Sequence, residues 1–298
     1  MDRLTVLCFV GTYSLALVTE LARFVVRAPA RWYLTLGLTA LAWLVQTAYM
    51  VNLATVYGHA PITTQFESLL AMSWIFAAAG LYWMAHTPKA AVGTFVLPIV
   101  VALTAVAGTA TARHADWGTS WRGATAFWGS VHGLFLLAGA VSTCVGFVAA
   151  MMYLAQARRL KTKRAGRLGF ALPSLEQSER LNRAAVMVAF PLLTFGLQIG
   201  LILSVTTRAV AAAPGGAALS WTDPKVLSAL VMWLVFAVLL HARFRPGMRG
   251  RSVVVLTIIA FGFLVFTWVG VEVLRLPTAH GVSRLVTVTA AAAVGRPR

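Results

Sequence analysis

The chain has 298 residues, of which 59% are hydrophobic and only 11% charged, and its mean hydropathy is +0.81. A soluble protein carries about 25% charged residues, so these values exclude a soluble domain. They indicate an all-α integral membrane protein, with room for about eight spans of roughly 20 residues. In that setting the formal charge of +17 marks the loops that stay in the cytoplasm, not an affinity for nucleic acid.

The N-terminus reads Met1-Asp2-Arg3, then a long apolar run closed by Glu20 and Arg23. A cleaved leader would have a more basic start and a shorter core, so this run is a first span. Eight apolar segments follow one another at residues 4–26, 32–54, 66–85, 92–111, 127–155, 184–205, 226–241 and 252–274. Basic residues fall between spans one and two (Arg27, Arg31) and between three and four (Lys89). They recur between five and six (Arg158, Arg159, Lys161, Lys163, Arg164, Arg167, Arg180, Arg183) and between seven and eight (Arg243, Arg245, Arg249, Arg251). In an eight-span bundle all four loops share one side. That side is then cytoplasmic, and both termini lie on the outer face.

Residues 1–298 read as a single transmembrane domain. Cys8 and Cys144 lie inside apolar runs without a CxxC and read as small core residues. The basic loop 157–183 is expected to hold a short interfacial helix, because Ser174 and Gln177 have the spacing of a capping box. Leu175 and Leu181 would lie at headgroup depth, with Arg180 and Arg183 meeting anionic lipid. Pro98 and Pro191 remove helix hydrogen bonds in the fourth and sixth spans. Gly196 and Gly200 form a GxxxG that admits a close helix neighbour, and Gln198 is expected to hydrogen-bond across that contact. Residues 285–298 form an outer tail whose apolar part is too short to cross a bilayer.

Six histidines occur, at 59, 86, 114, 132, 241 and 280. A neutral ring nitrogen suits a haem iron, so their grouping matters. His132 lies about one turn into the fifth span, near its outer end, and His280 lies just past the outer end of the eighth. Trp117, Trp121, Trp128 and Trp221 fall on the same side. Two imidazoles with tryptophans between them would suit a flat apolar macrocycle, whereas tryptophans alone form the aromatic belt of any membrane protein. His241 sits at the inner end of the seventh span, where an ionisable residue is either functional or a cap on helix-end carbonyls. Glu67 and Glu272 pair with no histidine at HExxH spacing. No GxSxG elbow or glycine-rich phosphate loop is present, which argues against hydrolase and nucleotide-driven chemistry. No catalytic residue is assigned.

Several stretches, in order along nearly the whole chain, resemble the cytochrome c assembly family, which spans CcsA-, CcmC- and HemX-type proteins. Gly58-His59-Ala60-Pro61 with Phe66-Glu67-Ser68-Leu69-Leu70 and Trp74 is similar to the start of the family's third span. Gly93-Thr94-Phe95-Val96-Leu97-Pro98 is similar to its fourth. Trp128 to His132 and Tyr153-Leu154-Ala155-Gln156 resemble its histidine-bearing fifth. Leu172-Pro173-Ser174-Leu175-Glu176 with Phe190-Pro191-Leu192-Leu193-Thr194 and Gly196 is the most specific likeness. Asp223-Pro224-Lys225, Trp233, Leu240-His241-Ala242-Arg243 and Gly250-Arg251 complete it.

The resemblance implies a multi-pass protein of a bacterial-type cytoplasmic membrane that handles haem b for attachment to apocytochrome c at the outer face. His132 and His280 would be the external axial ligands of the haem iron, and His241 a further ligand at the inner end. Trp221, Asp223 and Trp128 would bed the macrocycle, and arginines such as Arg122, Arg208 or Arg275 would meet its propionates. Such a chain is at most the haem-handling subunit of a cytochrome c synthase system. Its partners would be haem, the lipid bilayer, other maturation membrane proteins and apocytochrome c. The chain departs from the family's WGxxWxWDPKE pattern: the early tryptophans are absent, Thr222 separates Trp221 from Asp223, and Val226 replaces glutamate. This degenerate tryptophan-rich (WWD) motif moves it toward the HemX-like branch. The alternative function is therefore a membrane regulator or scaffold that docks a cytosolic tetrapyrrole enzyme. A secondary transporter bent at Pro98, Pro191 and Gly200 is the third reading.

Overall fold

Eight helices run along the described residues: α1 (Asp2–Leu21), α2 (Ala30–Tyr57), α3 (Gln65–His86), α4 (Gly93–Thr109), α5 (Ala124–Lys161), α6 (Leu175–Ala211), α7 (Pro224–Phe244) and α8 (Arg251–Val265). The structure is a computed structural model that describes residues 2–25, 30–58, 60–62, 64–88, 90–109, 124–162, 171–211, 224–244 and 250–270. Each helix falls on one of the eight apolar segments read from the sequence. Six are long and apolar enough to cross a membrane, and the stretches Gly93–Thr109 and Val226–Ala242 are shorter apolar helices. The protein is an all-α, multi-pass membrane protein.

Two of the helix starts are set by reciprocal caps. Ser174 Oγ accepts from the N–H of Gln177, and Gln177 Oε1 accepts from the N–H of Ser174, each at 3.1 Å. This is the capping box anticipated from the sequence. Thr64 and Glu67 form a second: Glu67 N–H donates to Thr64 Oγ1 at 3.1 Å and Thr64 N–H to Glu67 Oε2 at 3.2 Å. Both boxes satisfy backbone donors that have no partner within the first helical turn.

The short helix expected within 157–183 begins at Leu175 and continues as α6, which runs unbroken from Leu175 to Ala211 with Pro191 inside it. A single missing hydrogen bond does not end a helix that neighbours hold in place. At 1.5 Å per residue α5 and α6 are each about 55 Å long, well beyond the roughly 30 Å of a hydrocarbon core. Their basic and ion-paired ends (Arg158, Arg159, Lys161, Glu176–Arg180, Glu179–Arg183) therefore stand outside it. A parallel bridge between Ala90 and Ala171, with Ala91 N–H donating to Ala171 O at 3.1 Å, ties the α3–α4 turn to the start of α6.

In lipid no hydrophobic force drives helices together, so close packing and interhelical hydrogen bonds do. α5 lies along α6, α1 packs on α2 and α4, α3 on α4, and α8 on α5 and α7. Small residues permit the closest approaches: a Cβ on Gly139 would lie 2.8 Å from Leu193, and one on Gly196 would lie 2.7 Å from Leu136. Two buried polar groups pin the bundle. Gln46 accepts from Tyr13 Oη at 2.9 Å and donates to Ser73 Oγ and Leu70 O, joining α1, α2 and α3. Asn182 donates to Gly146 O at 2.8 Å and bonds Thr257, joining α5, α6 and α8.

Cys144 is fully buried, as expected, but Cys8 is exposed. The buried stripe of α1 is Val6, Phe9, Tyr13, Ala16 and Glu20, a spacing of three or four that leaves residue 8 on another face.

Candidate functional site

His132 is the ninth residue of α5, and its ring lies against the backbone of α6. Nδ1 is 2.6 Å from the carbonyl oxygen of Gly196. A carbonyl can only accept, so Nδ1 carries the proton and the neutral ring keeps its lone pair on Nε2. Gly200, one turn further along α6, makes room for the ring: a Cβ there would sit 2.5 Å from His132 Cε1 and 2.8 Å from Nδ1. The GxxxG of the sixth span is thus the seat of a histidine. Its cross-helix hydrogen bond comes from His132 and not from Gln198, which is exposed two residues beyond the buried Gly196. The available signal was a GxxxG in the sixth span with a single histidine in the apolar run of the fifth span before it.

Trp128 lies one turn nearer the N-terminus of α5 than His132, on the same face. It is 50% exposed and meets Phe127 edge-on, with ring centroids 5.5 Å apart. Phe135 and Phe195 meet across α5 and α6 at 5.8 Å. A Cβ on Gly133 would lie 3.7 Å from Ile62 O, and Ser68 Oγ donates to that carbonyl at 3.0 Å. The segment leading into α3 therefore touches the His132 turn directly. Glu67, fully buried, caps α3 at this end. Gln65 Nε2 donates at 2.7 Å to the carbonyl of Trp268, within the π-helical turn Phe266–Gly270 that extends α8. The capping box at Thr64 and Glu67, missed in the sequence, is what places this turn.

The start of α3, the start of α5, the second half of α6 and the end of α8 thus converge at one end of the bundle. Trp221 and Asp223, just before Pro224 at the start of α7, lie outside the described residues. So do His280 and the side chains of Arg122, Arg208 and Arg275. His241 is exposed on the surface of α7, not packed among the helices. It is 17 residues after Pro224, about 26 Å along the helix, so the structure does not gather it with His132. Among the described residues no three His, Cys, Asp or Glu side chains come together as a metal site. The arrangement at His132 offers one oriented imidazole nitrogen beside an aromatic, largely apolar wall.

Residues 62–277 match the family described as cytochrome C assembly protein. The chain is 26% identical over 295 residues to the cytochrome c biogenesis protein CcsA of Synechococcus sp. (strain CC9605), covering 92% of this chain and 94% of that one. It is 25% identical over 287 residues to the CcsA of Guillardia theta, covering 91% of each. A shorter stretch of 99 residues is 34% identical to the CcsA of Thermosynechococcus vestitus, covering 33% of this chain and 28% of that one. No solved structure matches.

Proposed function

Given that this chain belongs to the cytochrome c assembly family, we propose that it handles haem at the outer end of its bundle, for attachment to apocytochrome c. The observation that carries this reading is the hydrogen bond from His132 Nδ1 to Gly196 O. It leaves Nε2 as an available lone pair and fixes the ring, as ligating histidines require. His132 would be one axial ligand and His280 the other, with Trp128, Trp221 and Asp223 around the macrocycle. Haem b supplies the vinyl groups that a partner's thiols attack, and this chain's residues bind and orient it. His241, at the opposite end of α7, would serve a separate inner position. The membrane is the bacterial-type cytoplasmic one, with the basic ends of α5 and α6 inside, and other maturation membrane proteins receive or supply the cofactor.

The protein purified from haem-replete cells should show a haem band in oxidised and reduced visible spectra. That band should be shifted or lost in His132→Ala and His280→Ala. Absence of the band in the wild type, or a spectrum that neither substitution moves, would sink the axial-ligand assignment.

A second reading, a HemX-type scaffold for a cytosolic tetrapyrrole enzyme, is favoured by one feature. The ends of α5 and α6 stand clear of the bilayer, with Glu176 and Arg180 about four-fifths exposed. Charge reversal at Arg158, Arg159 and Lys161 that abolishes co-purification of such an enzyme while leaving the haem band intact would select it.

A further inference from the structure

A cavity of about 330 Å³ lies at the end of the bundle that carries the basic ends of α5 and α6. That volume is within the range of small-molecule sites. The end of α3, Met152 of α5 and the start of α6 border it, and Ala90 and Ala171, joined by their bridge, form one edge. The cavity is separate from the haem reading, because Met152 stands about 30 Å along α5 from His132. Its walls are Trp83, Met152, Leu172, Pro173 and Leu181, and none of the described residues lining it is charged. An indole and a thioether both favour contact with a ring.

Three polar side chains line the same space: Thr87, Gln177 and Ser178. Thr87 Oγ1 already donates to Trp83 O at 2.7 Å. Gln177 Oε1 accepts from the N–H of Ser174 at 3.1 Å, so its amide NH2 is the group left to act, and it can only donate. Ser178 is 1% exposed, and its Oγ is buried with no hydrogen-bond partner in the protein. A stranded buried hydroxyl is unfavourable. Alanine would hold the same helical turn without that loss, so the hydroxyl marks where the polar atom of an occupant belongs.

We propose that this cavity binds a single apolar ring bearing a carbonyl group, a molecule of the quinone type, with Ser178 as its hydrogen-bond donor. The Ser178 hydroxyl and the Gln177 amide can both donate, which calls for an acceptor on the ligand. The apolar walls with Trp83 and Met152 call for the ring, since water alone gains little from such a lining.

The test uses the full chain in detergent, melted with duroquinone, with durene (the same ring without its carbonyls) and with neither. Duroquinone should raise Tm by roughly 3 °C at tenfold its Kd, and durene should raise it less. Ser178→Ala removes a hydroxyl that has no partner in the protein, so the fold should stand and the duroquinone shift should drop to the durene level. Ala171→Leu, at an exposed position on the cavity edge, fills the space and should abolish both shifts. No duroquinone shift in the wild type, or one undiminished in either variant, would overturn the proposal. Equal shifts with durene and duroquinone would overturn it too, because the cavity would then take any hydrocarbon, a lipid chain included.

Discussion

The His132 imidazole donates from Nδ1 to the Gly196 carbonyl at 2.6 Å, and Gly200 supplies the space the ring occupies. One residue thus orients the histidine and another, four positions on, permits it to be there. The pair follows from helical spacing: residues i and i+4 of α6 present one surface, and the α5 ring spans both.

Gly200→Ala should therefore disturb the site more than the fold. The added methyl would lie 2.5 Å from His132 Cε1, and overpacking of this kind costs about 1–3 kcal/mol. The expected outcome is a modestly lowered Tm with a haem band that is weakened or shifted toward that of His132→Ala. Gly196→Ala is the comparison: its methyl would lie 2.7 Å from Leu136 Cδ2, 3.0 Å from Cγ and 3.3 Å from the Leu136 backbone nitrogen, so it separates α5 from α6 without entering the space of the ring, and the accepting carbonyl remains. Visible spectra of the two variants, taken beside melting curves, decide it. A wild-type spectrum in Gly200→Ala would show that the ring has another place to sit.

His241→Ala should leave the outer haem signal unchanged. His241 stands about 26 Å along α7 from Pro224, at the far end from the His132 turn. A spectrum that changes as much in His241→Ala as in His132→Ala would mean a single centre and would contradict the separation of the two.

The eight helices were legible because a bilayer demands runs of apolar residues and little else in this chain is that apolar. The Ser174 capping box was legible for a local reason, since its two residues are three apart. The seat of His132 was not, because Gly196 and Gly200 lie 64 and 68 positions away, and only the packing of α5 on α6 selects that histidine from six. The exposure of Gln198 and Cys8 was misread on the same account. A polar or small residue in an apolar run gives its type but not its face, and the face is set by which neighbouring helix arrives. The contacts of the buried Glu20 with Arg23, Arg31 and Thr94 join the end of α1 to α2 and α4, so they emerge only when the three helices are assembled.

Gln46→Leu should destabilise the bundle by about 1–3 kcal/mol, the cost of stranding a buried donor. Tyr13 Oη loses its acceptor, whereas Ser73 Oγ keeps its bond to Leu70 O at 2.8 Å. The double variant Tyr13→Phe with Gln46→Leu should recover part of that loss, because both partners of the bond are then gone. A cycle of four melting curves measures the coupling. Strict additivity would mean the bond contributes nothing.

Thr64→Ala and Ser174→Ala remove the same kind of cap from two helices and should differ in consequence. Losing an N-cap hydroxyl costs about 0.5–2 kcal/mol. Ser174 is exposed, so water replaces it and the loss should fall at the low end, with the haem spectrum unchanged. Thr64 is buried together with Glu67, which is fully enclosed, so water does not reach the freed N–H and the loss should fall at the high end. The Thr64 turn also carries Ile62, whose carbonyl backs onto Gly133 beside His132, so relaxing it should move the spectrum too. Thr64→Ser, which keeps the hydroxyl, should restore both stability and spectrum. If Thr64→Ala lowers Tm without touching the spectrum, the α3 turn is a helix cap alone and takes no part in holding the His132 end of α5.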